Sequence, residues 1–328
     1  MINVVHNEDC LTTMSKMEDE SINMVMTSPP YWALRDYGTG QNQLGLEPTF
    51  DLYISHLCDI FDEVKRVLRK DGTCWVNLGD TYCGSGKGAG GDISNSKEVW
   101  TFKEKVKKTC SYCGKEFNGY AFQQFCGASC SGVDNTPRSK KGELPTKSLT
   151  MIPYRFAIEM VNRGWILRNT IIWHKRNCMP SSAKDRFTVD FEYMFFFVKN
   201  KKYFFNQQFE PSTYTDSRKD KGNIPYENRL TNCNVKVSEE RNKRTVWTIN
   251  PKPFKEAHFA VYPEELCETP IKSGCPEGGI VYDPFFGSGT TGLVAHKLNR
   301  KFIGSEISKE YCKIAEKRLV ITKQIQFI

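Results

Sequence analysis

The chain has 328 residues, 39% hydrophobic and 26% charged, with 46 Lys+Arg against 38 Asp+Glu for a net charge of +8. No window approaches the roughly 18 consecutive apolar residues of a membrane helix, and Met1-Ile2-Asn3-Val4-Val5-His6 has neither the basic nor the apolar region of a signal peptide. With 21 Phe, 14 Tyr and 6 Trp to bury, a wholly disordered chain is excluded too, and a folded cytoplasmic protein without membrane contact is expected.

In chain order, Asn3–Val5 reads as a short strand, followed by a helix near Leu11–Met17. Ser21–Met26 is a buried-type strand, stopped by Pro29-Pro30. Leu57, Ile60, Phe61, Val64, Val67 and Leu68 recur at helical spacing; Asp71-Gly72 is the expected end of that helix, and Thr73–Leu78 the next strand. Gly84–Gly91 is a flexible linker by composition. It fails the phosphate-loop pattern, because Gly88 follows Lys87 and position 81 is Thr. A cysteine-bearing segment then runs to about Pro145. Regular texture resumes with a helix around Tyr154–Arg163 and strands at Trp165–Trp173 and Phe191–Val198. Phe205–Thr245 is polar and poorly periodic, and order returns at Val246–Ile249. The end is a strand (Gly279–Tyr282), a glycine-rich turn, a helix, a strand (Lys301–Ser305) and a last helix from about Lys309. This alternation predicts an α/β fold with a mainly parallel sheet, interrupted by two inserts.

The inserts carry the charge. Lys199–Lys255 has thirteen Lys/Arg against six Asp/Glu, and Lys97–Lys147 has ten against five, so the remainder is net acidic. Positive charge confined to two segments suggests a polyanion partner such as nucleic acid. Thirteen cysteines do not suggest a disulfide framework in a chain without an export signal. Nine are scattered and read as small buried thiols. Cys110, Cys113, Cys126 and Cys130 form C-x2-C-x12-C-x3-C, two close pairs that match a closed, structural tetrahedral zinc site. Such a module resembles a small zinc ribbon and would depend on its metal for stability. The five histidines show no metal spacing.

Two stretches carry chemistry. Gly287, Gly289 and Gly292 in Asp283-Pro284-Phe285-Phe286-Gly287-Ser288-Gly289-Thr290-Thr291-Gly292 form G-x-G-x-x-G between a strand and a helix, with Glu306 at the end of the next strand. Backbone amides at such a turn can meet a ligand, and a carboxylate near that spacing can grip ribose hydroxyls. A nicotinamide dinucleotide is one reading. Only one strand follows, however, so a single nucleoside fits better. The other stretch is Thr27-Ser28-Pro29-Pro30-Tyr31-Trp32, at the end of a buried strand. Prolines that fix a carbonyl, a small hydroxyl and two aromatics suit the polar edge and the face of a flat heterocycle.

Together these stretches resemble the amino-methylating DNA methyltransferases of the beta order, in which an S-P-P-Y or D-P-P-Y motif precedes the glycine-rich one. The similarity extends through Arg35–Gly38, Trp173–Arg186, His258–Pro263 and Phe302–Glu306. One departure is Cys178, where relatives usually carry proline; no catalytic consequence is expected. The resemblance implies a Rossmann-like class I methyltransferase fold, circularly permuted, with a mainly parallel seven-stranded sheet. It divides the chain into 1–80 (catalytic half of the core), 81–147 (linker and zinc-binding insert), 148–204 (core continued), 205–245 (target recognition) and 246–328 (cofactor-binding half).

By the same resemblance Ser28, Pro29, Pro30 and Tyr31 are catalytic: Ser28 and the Pro29 carbonyl hold an exocyclic amine, and Tyr31 stacks on an extruded base. Asp283, Phe285, Gly287, Ser288, Gly289 and Thr290 shape the S-adenosylmethionine site, Glu306 binds its ribose, Asp9 and Cys10 approach its adenine, and Phe259 closes the pocket. A serine at position 28 is the usual choice for cytosine N4, with adenine N6 as the alternative in the same fold. An inactive zinc-containing DNA-binding protein is the alternative from another class. The implied partners are double-stranded DNA, a cognate restriction endonuclease and a second copy of the chain.

Overall fold

The computed structural model describes residues 2–32, 43–47, 49–83, 106–109, 115–119, 144–145, 147–212, 240–251 and 261–325. The elements run β1 (Val4–His6), α1 (Cys10–Ser15), β2 (Ile22–Thr27), α2 (Phe50–Val67), β3 (Leu68–Leu78), β4 (Val106–Thr109), β5 (Glu116–Gly119), α3 (Ile152–Asn162), β6 (Ile166–His174), β7 (Phe191–Val198), β8 (Phe209–Pro211), β9 (Glu240–Asn242), β10 (Val246–Thr248), α4 (Glu264–Gly274), β11 (Ile280–Asp283), α5 (Thr290–Lys297), β12 (Lys301–Ser305) and α6 (Lys309–Ile325). No helix among the described residues is long and apolar enough to cross a membrane.

The main sheet has the order β1-β12-β11-β2-β3-β7-β6-β10. It is mainly parallel; the antiparallel pairs are β3–β7 and β7–β6. Among the described residues the expected seven strands are therefore eight. The eighth, β10, adds in parallel to β6 (Val246↔Ile172 to Thr248↔His174), where Trp247 is buried and the Trp173 indole donates to the Ile249 carbonyl (2.8 Å). The chain's first strand lies beside its last, Val4↔Ile303 to His6↔Ser305, so start and end share one edge of the sheet. Parallel strands bring their carboxyl ends to one side. Asp9, Ser28 and Glu306 follow strands that end there, and Asp283 is the last residue of one.

Helix α2 starts at Phe50, seven residues before the expected span, because Thr49 receives the first amides: Leu52 N–H on its hydroxyl (3.2 Å) and Tyr53 N–H on its carbonyl (3.1 Å). It ends at Val67 rather than Asp71. The Leu68 side chain, fully buried, folds over Gly72, and residues 68–72 run extended into β3. The inserts keep small two-stranded pieces among the described residues. Strands β4 and β5 pair antiparallel, as do β8 and β9, where Glu210 takes hydrogen bonds from Arg241 (2.9 Å) and Arg244 (2.7 Å). The quartet Cys110, Cys113, Cys126 and Cys130 lies outside the described residues, as does most of 205–245.

Contacts divide the chain into two compact units. The first is 1–29, 58–78 and 157–328; the second is 30–57 and 79–156. The first holds the main sheet and a core built on Met24, Met26, Trp75, Phe196, Phe286 and Leu293, with the Trp75 indole stacked on Phe196 at 4.1 Å. In the second, Asp80 Oδ1 accepts from the Thr150 hydroxyl (2.7 Å) and the Ile152 amide (3.2 Å), which receives the start of α3. Helix α4 was not legible in the sequence. It carries Pro270 internally and ends at Gly274, whose absent side chain lets the carbonyl meet the Thr73 hydroxyl (2.9 Å).

A Cβ at Gly274 would stand 2.5 Å from Thr73 Oγ1 and 2.6 Å from Trp75 Nε1. Helix propensity favours alanine by about 1 kcal/mol, but overpacking a filled site costs about 1–3 kcal/mol. Gly274→Ala should therefore lower the urea midpoint, and an unchanged or raised midpoint would contradict this packing.

Candidate active site

Asp283 ends β11 with none of its surface exposed. Its Oδ1 accepts from the Thr27 hydroxyl (2.6 Å) and the Phe285 amide (3.0 Å); its Oδ2 accepts from the Thr291 hydroxyl (2.6 Å) and the Tyr262 hydroxyl (3.2 Å). Tyr262 also hydrogen-bonds Thr291. Burial pushes the carboxyl above the ordinary aspartate range, and the donors pull it back down without cancelling the rise. One buried carboxylate thus ties the last residue of β2 to the glycine turn and to the first turn of α5.

The turn itself is held from below. Phe286 is buried and stacks on Phe302 (5.8 Å between ring centres), and its amide donates to the Ser305 carbonyl (2.9 Å). Gly292 and Gly304 make room for that ring: Cβ atoms there would fall 2.5 Å and 2.3 Å from it. Gly289, at φ 82°, would put a Cβ 2.9 Å from Ala315 of α6. At Gly287, φ 52°, a Cβ would meet only the Phe285 carbonyl oxygen, at 4.0 Å. Gly289 and Gly292 thus also answer a packing requirement, while Gly287 is the motif glycine with the least around its missing side chain.

Glu306 follows β12. Its Oε2 accepts from the Gly287 amide (2.7 Å) and its Oε1 from the Ser308 amide (2.7 Å), and burial raises its carboxyl above the usual range. The Glu306 amide donates to the His6 carbonyl (2.9 Å), and Asn7 Nδ2 donates to the Glu306 carbonyl (2.9 Å). Asp9 caps α1 by accepting the Leu11 amide (2.8 Å). Cys10 is buried, its thiol pushed up to about 12 by burial, and its carbonyl takes the Tyr282 hydroxyl (3.4 Å). The structure thus brings Asp9, Cys10, Asp283, Phe285, Gly287 and Glu306 to one edge. The Ser288 and Thr290 hydroxyls accept from Arg318 of α6 at 3.0 and 3.1 Å, and each keeps its own O–H as a donor. Phe259 lies outside the described residues.

Ser28 donates its hydroxyl proton to Asn77 Oδ1 (3.2 Å). Asn77, buried near the end of β3, is fixed by donating to the Tyr193 carbonyl (3.0 Å) and to Glu192 (3.2 Å), and Glu192 pairs with Lys175. A hydroxyl that donates inward keeps its lone pairs as acceptors. In the second unit, the Pro30 carbonyl takes the Tyr53 hydroxyl (2.8 Å), and the Tyr31 ring lies so close on Gly79 that a Cβ there would be 2.7 Å away. Asn77 and Arg318 escaped the sequence reading. An amide inside the apolar run Cys74-Trp75-Val76-Asn77-Leu78 was the available signal for the first; nothing local marks the second.

The family model for DNA methylases of the N6/N4 type matches residues 22–317. The chain belongs to that family. The N6/N4 methylase is 35% identical over 312 residues to the type II methyltransferase M.SmaI of Serratia marcescens, covering 95% of this chain and 89% of that one. It is 37% identical over 313 residues to M.XycI of Xanthomonas campestris pv. cyanopsidis, covering 95% and 85%. Among solved structures it shares its fold with the PvuII DNA methyltransferase (cytosine-N4-specific), at a TM-score of 0.60 and 20% identity over 97% of this chain and 86% of that one. A Thermus thermophilus protein solved with S-adenosyl-L-methionine gives a TM-score of 0.52 at 19% identity, covering 97% and 93%.

Thr27→Val keeps the shape of the side chain but removes one donor from the buried Asp283 carboxylate. Losing a hydrogen bond to a buried charged group costs about 1–3 kcal/mol, so urea unfolding should show a drop of that size. A change within about 0.5 kcal/mol, ordinary for a surface substitution, would mean the carboxylate does not depend on Thr27.

Proposed function

We propose that this N6/N4 methylase transfers a methyl group from S-adenosylmethionine to the exocyclic N4 of a cytosine extruded from double-stranded DNA. The observation that carries the reading is Ser28, held at a strand end as an acceptor by Asn77. A fold neighbour named cytosine-N4-specific agrees with it. The residues present fit the cofactor: where a Gly287 Cβ would stand, the nearest atom is the Phe285 carbonyl oxygen at 4.0 Å, and Glu306 uses one acceptor position on each carboxylate oxygen and keeps others for hydroxyl groups. Gly287, Phe285, the Ser288–Gly289 backbone and Glu306 would hold it, with Asp9 and Cys10 toward its base, Asp283 shaping the turn and Phe259 closing over it. When bound, it supplies an electrophilic sulfonium methyl.

The rest of the chemistry falls to the protein. A cytosine amine is a weak nucleophile because its lone pair is delocalised into the ring. Ser28 Oγ and the Pro29 carbonyl accept its two N–H groups, which orients the nitrogen and favours a localised lone pair. Pro30 stiffens the turn, and Tyr31 stacks on the base. The proton leaves after transfer, when the amine has become strongly acidic, so a neutral serine suffices. No thiol attack is needed. The buried cysteines are poor candidates for one in any case: burial pushes Cys10, Cys58 and Cys275 up to about 12.

The adjacency of β1 and β12 supports a circular permutation of the class I fold. Residues 205–245 would read the target. A cognate restriction endonuclease as partner and a cytoplasmic site of action belong to the same reading, which the relatives' type II designation supports. Cys110, Cys113, Cys126 and Cys130 would hold one structural zinc. The antiparallel pair β4–β5, whose connection carries Cys110 and Cys113, supports that assignment.

Unmodified plasmid DNA treated with the protein and digested to nucleosides should contain N4-methylcytosine by mass spectrometry; N6-methyladenine alone would overturn the base assignment. Ser28→Ala should lose at least about 10²-fold in turnover, the scale of removing one aligned polar partner at a reacting centre, while S-adenosylhomocysteine affinity holds. Protein never exposed to chelator should carry about one zinc per chain. Cys113→Ser should release it and weaken DNA binding, and metal analysis finding none would end the zinc assignment.

A further inference from the structure

The β6–β7 connection, residues 175–190, leaves the sheet on the side where Ser28 stands. His174 pairs with Phe191, and the next residue, Glu192, bonds Asn77, the partner of Ser28. Its neck is closed: the Lys175 amide donates to the Asp190 carbonyl (2.7 Å), and Lys175 Nζ lies 4.2 Å over the Trp173 ring. Beyond the neck the loop stands in solvent. Phe187 is 96% exposed and Met179 85%, the two most exposed large hydrophobic side chains among the described residues. The same loop carries Arg176, Lys184 and Arg186, also exposed, against Asp185 and Asp190.

A phenylalanine held in water by an anchored loop that also carries exposed cations has the chemistry of a surface that meets a polyanion with an apolar interior. Duplex DNA with one base extruded is such a partner. It has a base-sized apolar gap in its stack, flanked by phosphates, and apolar wedges between base steps are a recurring way to hold DNA unstacked. We infer that the β6–β7 loop is a DNA-contacting arm: Arg176 and Lys184 take backbone phosphates beside the target, and Phe187 fills the space the extruded base leaves. The inference rests on the reading that the substrate is a base flipped from duplex DNA. It adds a group that acts on the DNA left behind rather than on the extruded base.

The test uses a duplex oligonucleotide carrying the sequence that the wild-type protein modifies in plasmid DNA. One version pairs the target base normally; in the other the target faces an abasic site, so that unpairing is already done. Phe187→Ala should lower kcat/KM on the paired duplex by about tenfold or more, the cost of a partly unstacked step left unfilled. On the abasic-opposed duplex the loss should shrink to less than about threefold. Its S-adenosylhomocysteine affinity should match wild type. Arg176→Ala with Lys184→Ala should raise KM for DNA and reduce the log–log salt slope by about two, near one unit per phosphate contact. Equal losses for Phe187→Ala on both duplexes, or no loss on the paired one, would overturn the wedge; an unchanged salt slope would overturn the phosphate contacts. A wild-type protein that modifies neither duplex overturns the methyltransferase reading, and this inference with it.

Discussion

A single carboxylate with no exposed surface organises the edge where the candidate site lies. Asp283 is costly to bury, and its raised pKa records that cost. For such a group the folded state binds its proton more tightly than the unfolded chain does. Stability is therefore lost as pH rises from the unfolded value through the folded one. Asp283 is thus not explained as a source of stability. Its four donors explain it better: Thr27, Phe285, Thr291 and Tyr262 come from the end of β2, the turn after β11, the start of α5 and the segment before α4. A buried charge tolerates few arrangements of its donors. Holding these four fixes the spacing between the residue before Ser28 and the glycine turn, the two places where the reaction's partners would sit.

Much of this was readable from residues, and the reason for it was only partly readable. The strand–helix alternation marked β1, β2, β6, β7, β11 and β12 to within a residue or two; for β2, β11 and β12 the reason is that buried strands of a parallel sheet are continuous apolar runs. The pattern also contained Val246–Ile249, yet the resemblance implied seven strands; the short β10 makes the sheet eight. G-x-G-x-x-G marked the turn correctly. What it could not reveal was that Phe286, inside the motif, occupies the space of Gly292 and of Gly304, twelve residues further on. Helix α4 escaped because Pro270 argues against a helix locally, while its packing on Thr73 and Trp75 is a tertiary matter.

The catalytic candidates divide in the same way. Ser28, Asp283 and Glu306 are legible because each ends or directly follows a strand, where an open α/β sheet faces ligand. Asn77 and Arg318 act through partners 49 and 30 residues away in sequence, and only the fold makes those pairs. Conversely Ser288 and Thr290, inside the motif, turn their hydroxyls toward Arg318. Position in a motif signals the element; the direction of a side chain is set by what packs beneath it.

The central claim is that the edge bounded by Asp9, Gly287 and Glu306 is a single-nucleoside site for the methyl donor. Calorimetric titration of the full chain with S-adenosylhomocysteine, and separately with NAD, tests it most directly. The account predicts one S-adenosylhomocysteine per chain for wild type, a marked weakening for Glu306→Ala, and no heat from NAD. Binding of NAD in its place, or S-adenosylhomocysteine binding that Glu306→Ala leaves untouched, would contradict it.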